Sequence, residues 1–190
     1  MKVFSLLILL SIALSGTAQK LFPYRKGKNW GYCDENKKIV VQPFYNITYP
    51  HTENLGLVIA YDSIAKKYSY GFVDQKGKVV ITPKYLSATF FNNSGSVVKT
   101  ESGKFGVINS KDKFIIPASH KKITWYPKSS TWKVTNDQNK VGLFDAKGKQ
   151  LIDFKYDDID DATTTLHAIL GTDASFQQYC TWVDRNTKKE

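Results

Sequence analysis

The sequence predicts an all-β fold built from a tandem repeat. The stretch from Gly71 to Tyr85, with the sequence GFVDQKGKVVITPKY, recurs with drift at residues 31–45, 106–120 and 142–156. Its apolar runs are short and rich in β-branched and aromatic residues, which is typical of strands. No helical periodicity follows the first 18 residues. Self-similarity at steps of 35 to 40 residues indicates stacked supersecondary units rather than one irregular fold.

The first 18 residues have the three parts of a secretory signal peptide. Lys2 precedes an apolar run from Leu6 to Leu14, and the small residues Gly16 and Ala18 follow it. The alternative, a membrane span, needs about 20 apolar residues, and this run is shorter. We therefore expect cleavage after Ala18. The mature chain, residues 19–190, is expected to carry no transmembrane segment and to be secreted, periplasmic or in the cell envelope.

The charge of the chain restricts the class of partner. The formal net charge is +10, and loss of Lys2 with the signal peptide leaves +9. Such an excess favours acidic partners. An exported protein does not meet chromosomal nucleic acid, so we expect a protein or an anionic glycan. In the alternative interpretation, the lysines only keep the edges of β-sheets from pairing with other chains.

Each repeat unit has the pattern of a β-hairpin. A large apolar residue precedes each glycine, an Asp or Asn follows three places later, and a polar turn leads to an apolar run that ends at Pro and Tyr. The missing side chain at the repeat glycine should allow neighbouring backbone to approach closely. The signature residues are Trp30, Gly31, Asp34, Pro43, Tyr45, Tyr70, Gly71, Asp74, Gly77, Pro83, Tyr85, Phe105, Gly106, Gly142, Asp145, Gly148 and Tyr156.

A further short strand precedes each hairpin, as at Gly56–Ala60. The sequence therefore predicts about five three-stranded antiparallel units, the last of which lacks its final strand. The units are placed near residues 20–45, 55–85, 95–120, 131–156 and 166–190. They could close into a propeller-like ring, which hides the sheet edges, or form an open β-solenoid.

The stretch from Trp30-Gly31-Tyr32 to Pro43 resembles the WG repeat, and the later copies are variants of it. The fourth copy departs from the pattern, with Val141 in place of Trp and Phe154 in place of Pro. The resemblance implies a bacterial, β-rich repeat protein that is often exported and usually has no assigned activity. It carries over no catalytic residue.

Two cysteines remain after the predicted cleavage, Cys33 in the first unit and Cys180 in the last. A disulfide between them requires Cα atoms within about 7 Å and would favour the closed ring. Two buried, reduced thiols are the alternative.

The sequence indicates no catalytic, cofactor-binding or metal-binding residue. It has no nucleophile elbow, no phosphate-binding glycine loop and no closely spaced Cys/His group. The expected function is a non-enzymatic interaction module for a protein or an anionic glycan. The alternative is a structural or accessory subunit of an envelope assembly that has no ligand of its own.

The hairpin turns supply one candidate binding surface. A lysine lies seven places after each repeat glycine, and other lysines lie two places earlier in three of the turns. If the units stack in register, these lysines form a basic ridge that suits a polymer of regular negative charge. The ridge lysines are Lys38, Lys76, Lys78, Lys111, Lys113, Lys147 and Lys149.

Overall fold

The structure is a computed structural model that describes residues 20–160 in full and the backbone of residues 165–172 and 178–184. All described secondary structure is β-strand, and every strand pair is antiparallel. The predicted all-β class is confirmed. No helix in the described residues is long and apolar enough to cross a membrane. The predicted signal peptide lies outside the described residues.

The strands form five consecutive sheets, and in each sheet the spatial order follows the chain. The first sheet contains β1 (Phe22–Lys26), β2 (Asn29–Cys33) and β3 (Ile39–Tyr45). The second contains β4 (Ile47–Thr52), β5 (Leu55–Asp62), β6 (Lys67–Asp74) and β7 (Val79–Tyr85). The third contains β8 (Ser87–Ala88), β9 (Ser96–Lys99), β10 (Phe105–Ile108) and β11 (Phe114–His120). The fourth contains β12 (Lys122–Tyr126), β13 (Thr131–Thr135), β14 (Val141–Asp145) and β15 (Gln150–Tyr156). The fifth contains β16 (Asp158–Asp160), β17 (Thr165–Thr172) and β18 (Gln178–Asp184).

The predicted count of three strands per unit is wrong for the second, third and fourth sheets, which have four. From the second sheet onward the prediction misses the first strand, because it places the unit borders too late. The residue after Tyr45, Tyr85 and His120 already bonds to the next sheet. Asn46 N–H donates to Ile59 O at 2.9 Å, and Leu86 N–H donates to Lys99 O at 2.8 Å. One residue therefore suffices to pass from one sheet to the next.

Four hydrophobic clusters hold neighbouring sheets together, one at each joint between them. The first and second sheets share Leu21, Tyr32, Tyr45, Val58 and Val73. The second and third share Leu55, Leu57, Phe72, Ile81, Tyr85, Phe91, Val98 and Ile108. The third and fourth share Val97, Val107, Ile116, Ile123, Trp132, Val134 and Phe144. The fourth and fifth share Val141, Leu143, Ile152, Tyr156 and Ile159.

The clusters explain why the middle strands are apolar on both faces. On β6, Phe72 belongs to the joint with the third sheet, whereas the adjacent Val73 belongs to the joint with the first sheet. Both side chains are fully buried. Successive strand residues point to opposite faces, so a strand covered on both sides needs apolar residues at consecutive positions.

The more extensive contacts between sheets in the described part of the chain join sequence neighbours, for example β2 with β4 and β10 with β12. A closed ring and an open solenoid both contain these joints, so both stay as predictions. Cys33 is buried and forms no disulfide with a described residue, and the side chain of Cys180 lies outside the described residues. The disulfide between them also stays a prediction.

Candidate functional site

The repeat glycines serve packing, because the last strand of each hairpin bulges over them. Tyr70 pairs with Tyr85 and Phe72 pairs with Ile81, so an advance of two residues on β6 lies opposite four residues on β7. A Cβ atom added to Gly71 would lie 2.5 Å from Ile81 O and 2.6 Å from Pro83 N. The equivalent backbone contacts occur at Gly31, Gly106 and Gly142. This is the close approach expected from the sequence, and it leaves no room for a ligand.

The residues that close the units also pack. Tyr45, Tyr85 and Tyr156 are buried in three different joints between sheets. Burial is the main cause that raises the pKa of Tyr85, and the hydrogen-bonded carboxylate of Asp112 raises this pKa further. His120, which replaces the tyrosine in the third unit, stacks on Phe154 with ring centroids 5.6 Å apart.

The residue three places after each repeat glycine shapes the hairpin turn. Asp74 Oδ1 accepts hydrogen bonds from the backbone N–H of Lys76 at 2.9 Å and of Lys78 at 2.8 Å. Gly77 then has a φ of +82°, which places it in the left-handed region. This is a three-residue turn with a left-handed residue that forms a bulge. Asp34, Asn109 and Asp145 make the same pair of hydrogen bonds.

The turns of successive sheets lie at the same end of the array, because those of the second, third and fourth sheets each pack on the preceding sheet. A Cβ atom added to Gly77 would meet the side chains of Val40 and Val41 on β3 at 2.9 Å. The backbone at Gly148, in the fourth sheet, lies against Ile115 of β11 in the same way. We call this end of the sheets the tip face, formed by the β2–β3, β6–β7, β10–β11 and β14–β15 turns.

All seven ridge lysines are exposed on the tip face. Their backbone groups form the turns, while none of the five ion pairs found among the described residues involves their side chains. These ammonium groups thus project from a fixed turn geometry without a carboxylate partner among those pairs. Residues of the ridge can contact an acidic ligand without breaking an internal ion pair.

A groove of about 410 Å³ opens on the tip face between the third and fourth sheets. It is bordered by the turns β4–β5, β8–β9, β10–β11 and β14–β15. Five of its eleven lining residues carry amide or hydroxyl groups, and Lys147 and Glu53 add one cation and one carboxylate. The lining residues are Glu53, Phe91, Asn92, Asn93, Ser94, Gly95, Asn109, Ser110, Ile115, Ala146 and Lys147. Such a lining can donate and accept several hydrogen bonds to a polar ligand.

The sequence predicts Lys147 as a ridge lysine, but it does not predict the rest of the groove. Its wall comes from turns that are far apart in sequence, so no local pattern marks it. One signal was available in the polar run from Asn92 to Ser94, which is richer in amide and hydroxyl groups than a two-residue hairpin turn requires.

The opposite end of the sheets differs in its electrostatics, since cations there pair with acids of the following sheet. Lys67 pairs with Glu101. Lys104 pairs with Asp137, and Lys140 pairs with Asp157. The described residues contain no group of three or more His, Cys, Asp or Glu side chains that could hold a metal ion. The tip face, by contrast, combines the exposed ridge lysines with the groove beside Lys147.

Three stretches of the chain match the family model described as WG containing repeat. They are residues 30–58, 70–102 and 142–162. The first two begin at the aromatic residue before the repeat glycine, and the third begins at Gly142 itself. No curated protein matches the sequence.

Proposed function

This chain carries WG-containing repeats, as the sequence resemblance predicts, and we propose that it is an exported, non-enzymatic module that binds an anionic glycan on its tip face. The observation that carries this proposal is the combination of seven exposed turn lysines with the groove beside Lys147. The regular turn geometry repeats the cations from sheet to sheet, which suits a polymer whose charges also repeat.

The groove supports a carbohydrate rather than another acidic polymer. Asn92 and Asn109 supply amide N–H groups, because their Oδ1 atoms already accept backbone hydrogen bonds. Asn93 supplies an amide group, Ser94 and Ser110 supply hydroxyl groups, and Phe91 lies in the lining. Sugar hydroxyl groups need neutral donors and acceptors of this kind, whereas a featureless anion needs only the cations. Lys147 then places a charge beside the sugar-binding wall.

Retention of residues 19–190 on immobilised anionic polysaccharides tests the proposal. Every described core cluster lies within residues 21–159, so this protein keeps all of those contacts. Polygalacturonate and dextran sulfate are the ligands, and neutral dextran is the blank. We expect retention on at least one anionic polymer, with elution as the salt concentration rises.

Matched charge reversals locate the binding surface. One variant combines Lys78→Glu, Lys113→Glu and Lys149→Glu on the tip face. The control combines Lys26→Glu, Lys28→Glu and Lys122→Glu, which changes the net charge equally at the opposite end. The tip-face variant should lose retention and the control should keep most of it. Equal losses would mean that only net charge matters, and the proposal would then be wrong.

The second candidate function is a structural or accessory subunit of an envelope assembly. It is favoured by apolar side chains left uncovered on the sheets, such as Phe44, which is 66% exposed on the edge strand β3. A subunit of this kind should co-purify with one protein at both low and high salt. Replacement of Phe44 by Ser should weaken that co-purification and leave polysaccharide retention unchanged.

A further inference from the structure

The β5–β6 hairpin is longer than its counterparts in the first, third and fourth sheets. Both of its strands have eight residues, whereas β9 and β10 have four each and β13 and β14 have five each. The pairing is continuous from Leu55–Asp74 to Asp62–Lys67. The hairpin therefore extends beyond the neighbouring hairpins, at the end of the sheets opposite the tip face.

The end of this hairpin holds an apolar side chain in solvent. Ile64 is 94% exposed, the highest value among the large hydrophobic residues that the structure describes as exposed. Asp62 Oδ1 accepts hydrogen bonds from the backbone N–H of Ile64 at 2.8 Å and of Ala65 at 2.9 Å. The turn is thus built by the Asp62 carboxylate, and the Ile64 side chain contributes nothing to the core.

Two tyrosines lie directly behind the tip. Tyr61 and Tyr68 are cross-strand partners with ring centroids 5.1 Å apart. They are 46% and 54% exposed. Lys66, also exposed, follows the tip residue in the turn. The order from the end inward is therefore an aliphatic side chain, a cation and a pair of amphipathic aromatic rings.

We propose that the β5–β6 hairpin docks on an anionic membrane surface, with Ile64 inserted at the boundary between headgroups and acyl chains. An isoleucine gains free energy when it leaves water for the acyl region. Tyrosine rings are favoured at the headgroup level because one end is apolar and the other polar. Lys66 is then placed next to the lipid phosphates, to which it is attracted.

Charge on the neighbouring hairpin makes an anionic membrane the favoured partner. The β1–β2 turn lies at the same end of the adjacent sheet and carries Arg25, Lys26 and Lys28, all exposed. An acidic surface that contacts the β5–β6 tip also faces these cations. A flat, anionic surface fits a protruding tip that has cations beside it.

Co-sedimentation of residues 19–190 with lipid vesicles tests the proposal, since removal of the predicted signal peptide excludes binding through its apolar run. The vesicles are phosphatidylcholine with or without phosphatidylglycerol. Binding to the anionic vesicles is expected, with little binding to phosphatidylcholine alone. The substitution Ile64→Ser should weaken binding about tenfold, because one aliphatic side chain no longer leaves water. The control Val79→Ser changes an exposed apolar residue at the tip face and should bind like the parent.

A second variant reports insertion without relying on affinity. In Ile64→Trp, the indole fluorescence should shift to shorter wavelength when anionic vesicles are added. Absence of vesicle binding, or binding that Ile64→Ser leaves unchanged and salt abolishes, would overturn the proposal. The proposal would also be wrong if Ile64→Ser abolished binding to a protein partner and left lipid binding unchanged. Polysaccharide retention should be the same in Ile64→Ser as in the parent, so the two proposals fail separately.

Discussion

The phenol of Tyr85 donates a 2.6 Å hydrogen bond to the carboxylate of Asp112. Tyr85 closes the second sheet, whereas Asp112 lies in the β10–β11 turn of the third, where its φ is +60°. Lys84 pairs with the same carboxylate. One side-chain contact thus ties the end of one unit to the tip-face turn of the next.

Replacement Tyr85→Phe should lower the free energy of unfolding by about 1.5 kcal/mol, because a hydrogen bond to a charged acceptor is lost while the ring stays buried. Urea denaturation monitored by circular dichroism measures this change. Tyr61→Phe is the control, since this exposed ring lies outside the core clusters and should give a change below about 0.5 kcal/mol. Equal effects of the two substitutions would show that the joint does not depend on the Tyr85–Asp112 bond.

Replacement Gly71→Ala should be severe, costing about 3 kcal/mol or more, because the new Cβ would meet the backbone of Ile81 and Pro83. Gly103→Ala provides the comparison. Gly103 has a φ of +78° but nothing within 4 Å of a Cβ, so only the backbone strain of about 1 kcal/mol applies. Thermal unfolding of both variants decides the matter, and a milder effect at Gly71 than at Gly103 would contradict this role of the repeat glycine.

Replacement Asp74→Ala removes the acceptor for two turn N–H groups and should cost about 1–2 kcal/mol. Asp74→Asn should be close to neutral, because Asn109 makes the same pair of hydrogen bonds in the third unit. Urea midpoints of the two variants give the comparison. A large loss in the Asn variant would mean that the negative charge, rather than the acceptor geometry, stabilises the turn.

Acid should destabilise the protein in part through His120. Burial lowers the pKa of His120, with a further lowering from Lys104 and an opposing effect from Asp137. The unfolded chain therefore takes up the proton more readily, and the stability due to this residue is lost as the pH falls below about 6.5. His120→Tyr, which restores the residue of the other units, should reduce the difference between urea midpoints at about pH 8 and about pH 5. If the difference between the two urea midpoints stayed the same, other groups would cause the pH dependence. His51 is one of them, because burial also lowers its pKa.

The strands and turns of the repeat were predictable because they depend on local chemistry. Alternating or continuous apolar runs mark β6 and β7, and Asp74 with Gly77 marks the turn between them. The first strand of each later sheet was not predicted because no turn or loop signal separates it from the last strand of the preceding sheet. Asn46 is the single residue between β3 and β4, and Pro50 interrupts the run that would mark β4 as a strand.

The groove and the long hairpin depend on arrangement in space. The amide wall joins Asn92 and Asn109, which belong to separate turns, to Lys147 in the next sheet. The hairpin did leave one signal in the sequence. The step from Gly31 to Gly71 is 40 residues, whereas the next two steps are 35 and 36, and the additional residues lie in β5 and β6.

The most direct test of the central claim is the affinity of residues 19–190 for a soluble anionic polysaccharide, measured by titration at several salt concentrations. The parent and the control with Lys26, Lys28 and Lys122 reversed should show similar affinities and similar slopes of log Kd against log salt concentration. The variant with Lys78, Lys113 and Lys149 reversed should bind at least tenfold more weakly, with a smaller slope, because fewer cations contact the polymer. Equal weakening in both variants, or a parent that does not bind, would contradict recognition by the tip face.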